Sequence, residues 1–385
     1  MEAKIRYCAL ATISASIRSF ILPSAIHLAE NGYDVTIGCQ KDDKLATDLP
    51  ANLHYLPLGI ERGFSIKGTL IATWQLYRFF CKEKIQMVEY GTENVSLCAS
   101  IAAWAARVPI RIYNHWGARY IGYTGLARQF SLLIERTAAL FSTTIRQQSQ
   151  KNMQMCINDK VYSAKKVSVI GYGGTVGADF KRFDLGQKDA WNKVFRQKHS
   201  IPMDDIVFGD IGYIRKDKGH EELLTAFRNI CNEHTWLVLV GDIFEPDAPK
   251  LELMEWAKQN NRVIFTGRVC DVEHYAAAYD VIVHPSYREG LGMVLQEAGA
   301  LGVPYIACDI PGPGEIGING ETGLLVEKGN ATDLQEKMQY LIDHPEIIRK
   351  MSKAMFLLTK ERYERNKMLQ RILDDRNKLK LSIKS

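Results

Sequence analysis

The sequence lacks the motifs by which many enzyme classes are recognised. Its eight cysteines are scattered and none forms a C-x-x-C pair, which excludes a zinc ribbon and a thioredoxin-type site. No D-x-D pair occurs, so a metal-clamped diphosphate is not indicated. The chain also lacks a G-x4-G-K-[ST] loop, an H-E-x-x-H pair and a G-x-S-x-G turn. These absences exclude P-loop nucleotide hydrolases, zinc proteases of that type and nucleophile-elbow hydrolases.

Long apolar runs are also missing. The longest charge-free stretch in the first part of the chain, residues 94–106, is too short to span a bilayer. Residues 1–6 lead directly into an apolar stretch, without the basic, apolar and cleavage regions of a secretory signal. We therefore expect a cytoplasmic protein that contacts membranes, if at all, peripherally at the inner face of the plasma membrane.

The composition is that of a globular protein with an uneven charge distribution. A length of 385 residues favours two or three domains, and 46% hydrophobic with 24% charged residues is enough to form their hydrophobic cores. Residues 1–185 carry 22 Lys/Arg and 14 Asp/Glu, whereas residues 186–385 carry 27 and 30. A basic half suits an anionic partner, such as acidic lipid headgroups or a phosphorylated substrate. No basic run is interleaved with aromatic residues, so we do not expect a nucleic-acid partner.

Strand-like and helix-like segments alternate along both halves of the chain. Residues 5–10 read as a buried strand, a helix is expected from about Ile17 to Asn31, and residues 33–39 form the next strand. The same rhythm starts again at Ile206, after a glycine-rich segment at 171–177 that indicates a hinge. The pattern predicts two doubly wound, Rossmann-like α/β domains facing across a cleft, over 1–185 and 186–361. The basic tail, about 362–385, is expected to pack back on the first domain.

The segment from Pro285 to Ala300 follows a predicted strand and opens a helix. Gly290 and Gly292 allow a ligand to approach the backbone, and the free N–H groups of a first helical turn favour an anion such as phosphate. Glu289 precedes this helix and Glu297 lies in its second turn. Carboxylates accept hydrogen bonds from neighbouring hydroxyls, so the segment suits a phosphate held between sugar-like groups.

The spacing of Glu289 and Glu297 resembles the E-x7-E motif of the retaining glycosyltransferases of family 4. The runs at 284–286, 302–304 and 322–326 are similar to the same family's C-terminal signature. The resemblance implies a GT-B fold, a nucleoside diphosphate sugar as donor, and transfer without a metal ion or other cofactor.

The resemblance also implies roles for individual residues around the donor. Glu297 resembles the glutamate that holds the donor ribose, and Glu289 resembles the one that contacts the donor sugar. Two further groups are expected to bind the donor. These are the backbone at Gly290, Leu291, Gly292 and Met293 for the sugar and diphosphate, and the turn containing Arg268 and Val269 for the base.

Two cations and one histidine complete the predicted active site. Lys218 matches the family's lysine before glycine and is expected to neutralise the diphosphate. The family's arginine corresponds to Tyr213 here, so Arg215 is the candidate replacement. His115, just past a predicted strand, resembles the N-domain histidine beside the reacting sugar carbon. His115, Lys218 and Glu289 are the predicted catalytic groups, and Arg215 is expected to bind the donor.

Weaker signals concern the acceptor side. Ser14 and Ser16, at the position of the family's glycine pair, are small enough to allow a substrate to approach the backbone closely. Glu315 ends a loop that resembles the family's loop near the donor. His284, at the end of a buried strand, is expected to belong to the core.

The function that the resemblance implies is a retaining, metal-independent transferase using a UDP-sugar. The expected acceptor is a saccharide, lipid-linked in the synthesis of bacterial capsule, exopolysaccharide or O-antigen. Two alternatives remain open at this point. One is a GT-B sugar-nucleotide epimerase, which needs no acceptor, and the other is a subunit that binds the sugar nucleotide without catalysis.

Overall fold

The computed structural model describes residues 4–60, 63 and 65–384, with side chains up to residue 381, so the first three residues of the N-terminal segment lie outside this range. The chain divides into two compact units. Unit 1 runs to Val176 and takes in the chain again from Asn366, and unit 2 is Gly177–Arg365. The sequence placed the division after residue 185. In the structure the division follows Val176. Residue 178 already belongs to unit 2, because the Ala178 N–H donates to the Tyr363 carbonyl of that unit at 2.8 Å.

Unit 1 is built on a parallel sheet of seven strands in the order β3-β2-β1-β4-β5-β6-β7. The strands are β1 (Ile5–Leu10), β2 (Tyr33–Gln40), β3 (Leu53–Leu58), β4 (Met87–Tyr90), β5 (Ile110–His115), β6 (Thr144–Gln147) and β7 (Val167–Val169). Parallel strands covered on both faces are largely apolar, and β1 and β4 are buried at nearly every residue.

The helices of unit 1 cover both faces of this sheet. They are α1 (Ser14–Phe20), α2 (Leu22–Glu30), α3 (Asp43–Asp48), α4 (Ile66–Glu83), α5 (Glu93–Ala105), α6 (Gly125–Phe141) and α7 (Gln150–Asn158). The single helix expected from Ile17 to Asn31 is wrong, because the chain breaks at Ile21 and a new helix begins there. Pro23 lies in the first turn of α2, where its missing N–H leaves no helical hydrogen bond unmade.

Unit 2 repeats the architecture with six parallel strands in the order β10-β9-β8-β11-β12-β13. The strands are β8 (Ile206–Ile211), β9 (Thr235–Val240), β10 (Val263–Gly267), β11 (Val281–His284), β12 (Tyr305–Cys308) and β13 (Gly323–Val326). The helices are α8 (Lys188–Lys198), α9 (His220–Ile230), α10 (Leu251–Gln259), α11 (Val272–Ala276), α12 (Met293–Ala300), α13 (Ala331–Asp343) and α14 (Pro345–Arg362). Two such units confirm the predicted doubly wound α/β fold class.

The C-terminal helix α15 (Arg365–Lys384) packs on unit 1. Leu373 joins the apolar cluster that covers one face of the unit 1 sheet. Arg376 is buried and donates to Glu89 in β4 at 2.6 Å. A buried cation with a buried partner fixes the helix, since removing either member leaves the other charge uncompensated.

The strand order reverses between β8 and β11 in unit 2, and between β1 and β4 in unit 1. In open α/β sheets, ligands bind outside the carboxyl ends of the strands at such a reversal. No helix in the described part of the chain is long and apolar enough to cross a membrane.

Candidate active site

Two turns of unit 2 meet at the carboxyl ends of β8 and β11. The turn after β8 ends at Gly219, whose φ of +74° is left-handed, and a Cβ there would lie 2.1 Å from the Pro285 carbonyl oxygen. The Tyr287 N–H donates to the Asp217 carbonyl at 2.9 Å. Glycine is needed at 219 because only a residue without a Cβ allows the two backbones to approach so closely. This packing brings together side chains that are distant in sequence.

Lys218 and Glu289 are ion-paired at this junction. The Lys218 ammonium donates to Glu289 Oε1, and the two side chains are 28% and 17% exposed. His284, the last residue of β11, lies behind them with Nε2 2.9 Å from the same carboxylate oxygen. Two of the residues to which the sequence assigns donor contacts, Lys218 and Glu289, are therefore in direct contact, and both side chains are partly exposed to solvent.

A buried carboxylate continues the cluster below His284. Asp210 in β8 lies with Oδ1 2.9 Å from His284 Nδ1 and Oδ2 3.2 Å from His220 Nε2, and all three side chains are at most 2% exposed. Burial lowers the pKa of His284, but hydrogen bonds to Asp210 and Glu289 outweigh it and raise that pKa to about 9. The ring is protonated at neutral pH and donates to a carboxylate on each side.

These neighbours decide the charge of Glu289. Burial alone raises the pKa of this carboxyl, whereas the Lys218 ammonium and the His284 imidazolium lower it well below its usual range. The pKa of Lys218 is raised, because Glu289 outweighs the effect of burial. At neutral pH the junction therefore presents an anion that accepts hydrogen bonds beside a cation that attracts phosphate.

The helix α12 begins next to this pair. Gly292 is its N-cap with a φ of +97°, and the first turn contains no acidic residue, so the positive end of the helix dipole is not offset there. The side chain of Leu291 is buried at 1% exposure, which leaves only its backbone for a ligand. Gly290 and Met293 flank it on the same loop and first turn.

The loop before α12 is supported by the turn at 311–315. Gly312 has a φ of +99°, and a Cβ there would lie 2.7 Å from the Gly290 carbonyl oxygen. Glu315 accepts a hydrogen bond from the Gly312 N–H at 3.3 Å. In this structure Glu315 therefore orders its own turn, and the predicted acceptor contact stays a prediction.

Glu297 lies one helical turn further along α12, half-buried. Burial raises its pKa to about 7, and Arg182 and Arg365 offset this only in part. Each of these arginines already binds another carboxylate, Arg182 binding Glu273 at 2.8 Å and Arg365 binding Asp179 at 2.6 Å. Glu297 therefore changes charge near neutral pH, unlike Glu289.

Arg215 does not join the Lys218–Glu289 pair in the contacts that the structure describes. Its Nε donates to Asp247 at 3.1 Å, it is ion-paired with Asp217, and its guanidinium stacks on Phe244 at 4.7 Å. Tyr213, at the position of the family's arginine, packs edge-on against the same phenylalanine. The role of Arg215 on the diphosphate stays a prediction.

The turn expected to meet the base follows β10. The Arg268 N–H donates to Asp242 Oδ1 at 3.2 Å, and the side chain of Arg268 is exposed. Val269 packs half-buried against the apolar core. This fixes the backbone of the turn and leaves the base contact untested.

His115 ends β5 in unit 1 and is 2% exposed. Its Nε2 lies 3.3 Å from Glu135, and its Nδ1 lies 3.3 Å from the Tyr162 hydroxyl and 3.2 Å from the Gln147 amide nitrogen. Burial lowers the pKa of the ring, but Glu135 and Cys156 outweigh it and raise that pKa to about 10. The side chain is enclosed by protein, so its predicted contact with a sugar carbon remains a prediction.

The two predicted serines of unit 1 lie on the first turn of α1. The Ser14 side chain hydrogen-bonds Asp42 and helps to lower the pKa of that carboxyl. Ser16 is half-buried, and its N–H donates to the Ile13 carbonyl at 3.1 Å. The structure therefore gives Ser14 a structural partner and tests neither acceptor assignment.

Sequence reasoning missed the cluster under Glu289, which has three members. His284 is buried, as expected, but it also orients Glu289, and the sequence analysis assigns no role to Asp210 or His220. The available signal was a polar residue near the carboxyl end of each strand beside the reversal, Asp210 in β8 and His284 in β11.

Comparisons with known proteins agree with this geometry. The family model described as "Glycosyl transferases group 1" matches residues 192–356, and the one described as "Glycosyl transferase 4-like" matches residues 8–149. The capsular polysaccharide biosynthesis glycosyltransferase CapM of Staphylococcus aureus is 31% identical over 292 residues, which is 75% of each chain.

Two further proteins are similar over nearly the whole length. An Escherichia coli UDP-Gal:α-D-GlcNAc-diphosphoundecaprenol α-1,3-galactosyltransferase is 22% identical over 338 residues, 85% of this chain and 84% of that one. The crystal structure of Anabaena HepE in complex with UDP and glucose superposes with a TM-score of 0.79 at 19% identity, over 97% of this chain and 100% of that one. The predicted family and GT-B fold are confirmed, and the chain belongs to the group 1, family 4-type glycosyltransferases.

Proposed function

We propose that this glycosyltransferase is a retaining, metal-independent enzyme of bacterial surface-polysaccharide synthesis. It moves a sugar from a UDP-sugar to a lipid-linked saccharide at the cytoplasmic face of the plasma membrane. The observation that carries the proposal is the Lys218–Glu289 pair, held at the start of α12 by the reversal between β8 and β11. An anion and a cation in contact suit a substrate whose sugar hydroxyls and diphosphate are adjacent.

The proposed chemistry divides the donor among these groups. Glu289 accepts hydrogen bonds from the sugar hydroxyls, and Glu297 accepts them from the ribose. As the bond between the sugar carbon and the diphosphate oxygen breaks, Lys218 and the N–H groups of the first turn of α12 stabilise the negative charge on the leaving diphosphate. The acceptor hydroxyl attacks the sugar carbon from the face that the diphosphate leaves and passes its proton to the departing diphosphate oxygen. The anomeric configuration is therefore kept, and we assign no side chain as nucleophile.

Metal independence is proposed from the sequence and from the cation at the site. The chain contains no D-x-D pair, and Lys218 supplies the positive charge that a divalent ion supplies in enzymes carrying that motif. The donor and acceptor are proposed from the relatives, because the HepE structure holds UDP with glucose and the Escherichia coli name specifies a diphosphoundecaprenol acceptor. Unit 1 is proposed to take the acceptor, with Ser14 and Ser16 as candidate residues, and His115 is proposed to lie beside the reacting sugar carbon.

A panel of UDP-sugars tests this proposal. Each sugar is offered with a polyprenyl-diphosphate saccharide or with the free saccharide, with and without a chelator. We expect turnover with one UDP-sugar and the lipid-linked acceptor, unaffected by the chelator, and a product whose anomeric configuration by NMR matches that of the donor. Equal use of the free saccharide would contradict the lipid-linked acceptor, and an inverted product would contradict retention.

The same experiment separates the two alternative functions, which family membership disfavours. Conversion of the UDP-sugar without any acceptor would indicate an epimerase. Binding without turnover across the panel, unchanged in Glu289→Gln, would indicate a non-catalytic subunit. The matched control is Glu336→Gln, at an exposed position on α13, which should keep full activity.

A further inference from the structure

Helix α4 of unit 1 carries apolar side chains on its outward face as well as on its inward face. Inward, Ala72, Leu76 and Phe80 are buried at intervals of four residues. Outward, the side chains at 66, 70, 74 and 77 repeat at intervals of four, four and three, and are between 40% and 70% exposed; they are Ile66, Leu70, Trp74 and Tyr77. A helix that only covers a sheet is polar on its outer side, so this second stripe is not explained by packing within the unit.

Helix α6 shows the same feature. Leu126, Leu133 and Leu140 follow one another at intervals of seven and are between 60% and 88% exposed. The helix α5 packs against both α4 and α6, and the buried sides of all three contribute to one apolar cluster. The three helices therefore form one layer on one face of the sheet, and the outward stripes of α4 and α6 belong to one surface. We call it the α4–α6 face.

Positive charge lies along the α4 side of the α4–α6 face. Residues 66–84 contain one carboxylate, Glu83, and four exposed cations, which are Lys67, Arg78, Lys82 and Lys84. The Arg78 guanidinium stacks on the Trp74 ring at 4.8 Å. In α6 the only carboxylate is Glu135, which is buried. Apolar side chains beside exposed cations complement a surface that is apolar inside and anionic at its edge.

An anionic lipid bilayer has these properties. Trp and Tyr favour the headgroup level, Lys and Arg extend to the phosphates, and aliphatic side chains enter the acyl boundary. A second copy of this chain fits less well, because its cations would face the same cations. We propose that the α4–α6 face binds the surface of anionic membranes, without crossing them. The inference rests on the proposed lipid-linked acceptor and names the surface that brings the enzyme to it.

Vesicle sedimentation of the 385-residue chain tests the proposal. We expect binding to phosphatidylcholine vesicles containing about a third phosphatidylglycerol, weaker binding to phosphatidylcholine alone, and a decrease with salt. The double variant Leu70→Glu/Trp74→Glu should reduce binding by roughly tenfold or more, since it places two acidic groups at the acyl boundary. The control is Leu251→Glu on unit 2, a leucine that is 73% exposed outside the α4–α6 face. It should bind like the native chain.

Activity measured in parallel separates this inference from the proposed function. Because the α4–α6 face contains none of the residues proposed to bind the donor or the acceptor, the double variant should keep its turnover of a detergent-solubilised lipid-linked acceptor. It should lose turnover of the same acceptor in vesicles. Unchanged vesicle binding by the double variant would overturn the inference. A second result would also overturn it. In that case the native chain would form a dimer in sedimentation velocity, the double variant would be a monomer, and neither protein would bind vesicles. Vesicle binding without turnover of any lipid-linked acceptor would instead overturn the proposed acceptor.

Discussion

The titration of Glu297 gives the sharpest prediction for donor binding. Its pKa is raised to about 7, and the proposed role requires the ionised form, which accepts hydrogen bonds from the ribose hydroxyls. About a tenth of the carboxyl is ionised at about pH 6 and about nine tenths at about pH 8, one unit to either side of this pKa. If only the ionised form holds the ribose, the association constant for the donor should rise about tenfold over this interval.

Isothermal titration with the intact UDP-sugar measures this rise. The bridged diphosphate of the donor does not titrate in the interval, and Glu289 stays ionised because its pKa is lowered. Glu297→Gln should bind the donor more weakly at about pH 8 and show a flat profile. The control Glu336→Gln should keep the native slope. A Glu297→Gln variant with native affinity and native slope would refute the role of this residue.

Three further predictions concern the structure around the site. His284 is protonated in the fold with a pKa of about 9, so its contribution to stability is complete below pH 6.5 and is lost as the pH rises through 9. In calorimetry, His284→Gln should show a smaller loss of stability over this pH range than the native chain. An unchanged loss would contradict the assignment. Gly219→Ala, with its Cβ 2.1 Å from the Pro285 carbonyl, should separate the two turns and abolish donor binding, whereas native binding would contradict the packing argument. Arg376→Met leaves Glu89 buried without a cation and should cost about 3–5 kcal/mol in urea unfolding. A second change, Glu89→Gln, should recover part of this loss, and a loss below about 1 kcal/mol would contradict the role of the pair.

The fold class could be predicted because it depends on local patterns that the chain repeats. Apolar strands alternate with helices throughout, and a parallel sheet follows from that alternation alone. The break at Ile21 was harder to predict, because the buried residues Ile17, Ile21 and Ala25 keep a helical spacing across it. The one local signal is Pro23, a residue typical of a first helical turn. The division at Val176 also escaped prediction, because it depends on Ala178 bonding to Tyr363, far away in the sequence.

The candidate site was predictable only in part, for a related reason. Glu289, Glu297 and Lys218 lie in motifs that the family resemblance makes visible, and the structure brings Lys218 and Glu289 into contact. The support below them comes from strands that are neighbours in space and not in sequence. Asp210 and His284 are 74 residues apart, and only the strand order shows that they are adjacent.

His115 illustrates the limit of transferring a motif to a position. The match placed it at a strand end, and the structure agrees, but the ring is enclosed by Glu135, Gln147 and Tyr162. Whether a side chain is exposed depends on the helices that pack over it, and a short motif does not contain that information.

The central claim is that the sugar nucleotide binds at the start of α12. A crystal structure of the chain with its UDP-sugar tests this most directly. We predict a diphosphate within hydrogen-bonding distance of the first-turn N–H groups and of Lys218, the sugar on Glu289 and the ribose on Glu297. A nucleotide bound at any other place in unit 2, or in unit 1, would contradict the account.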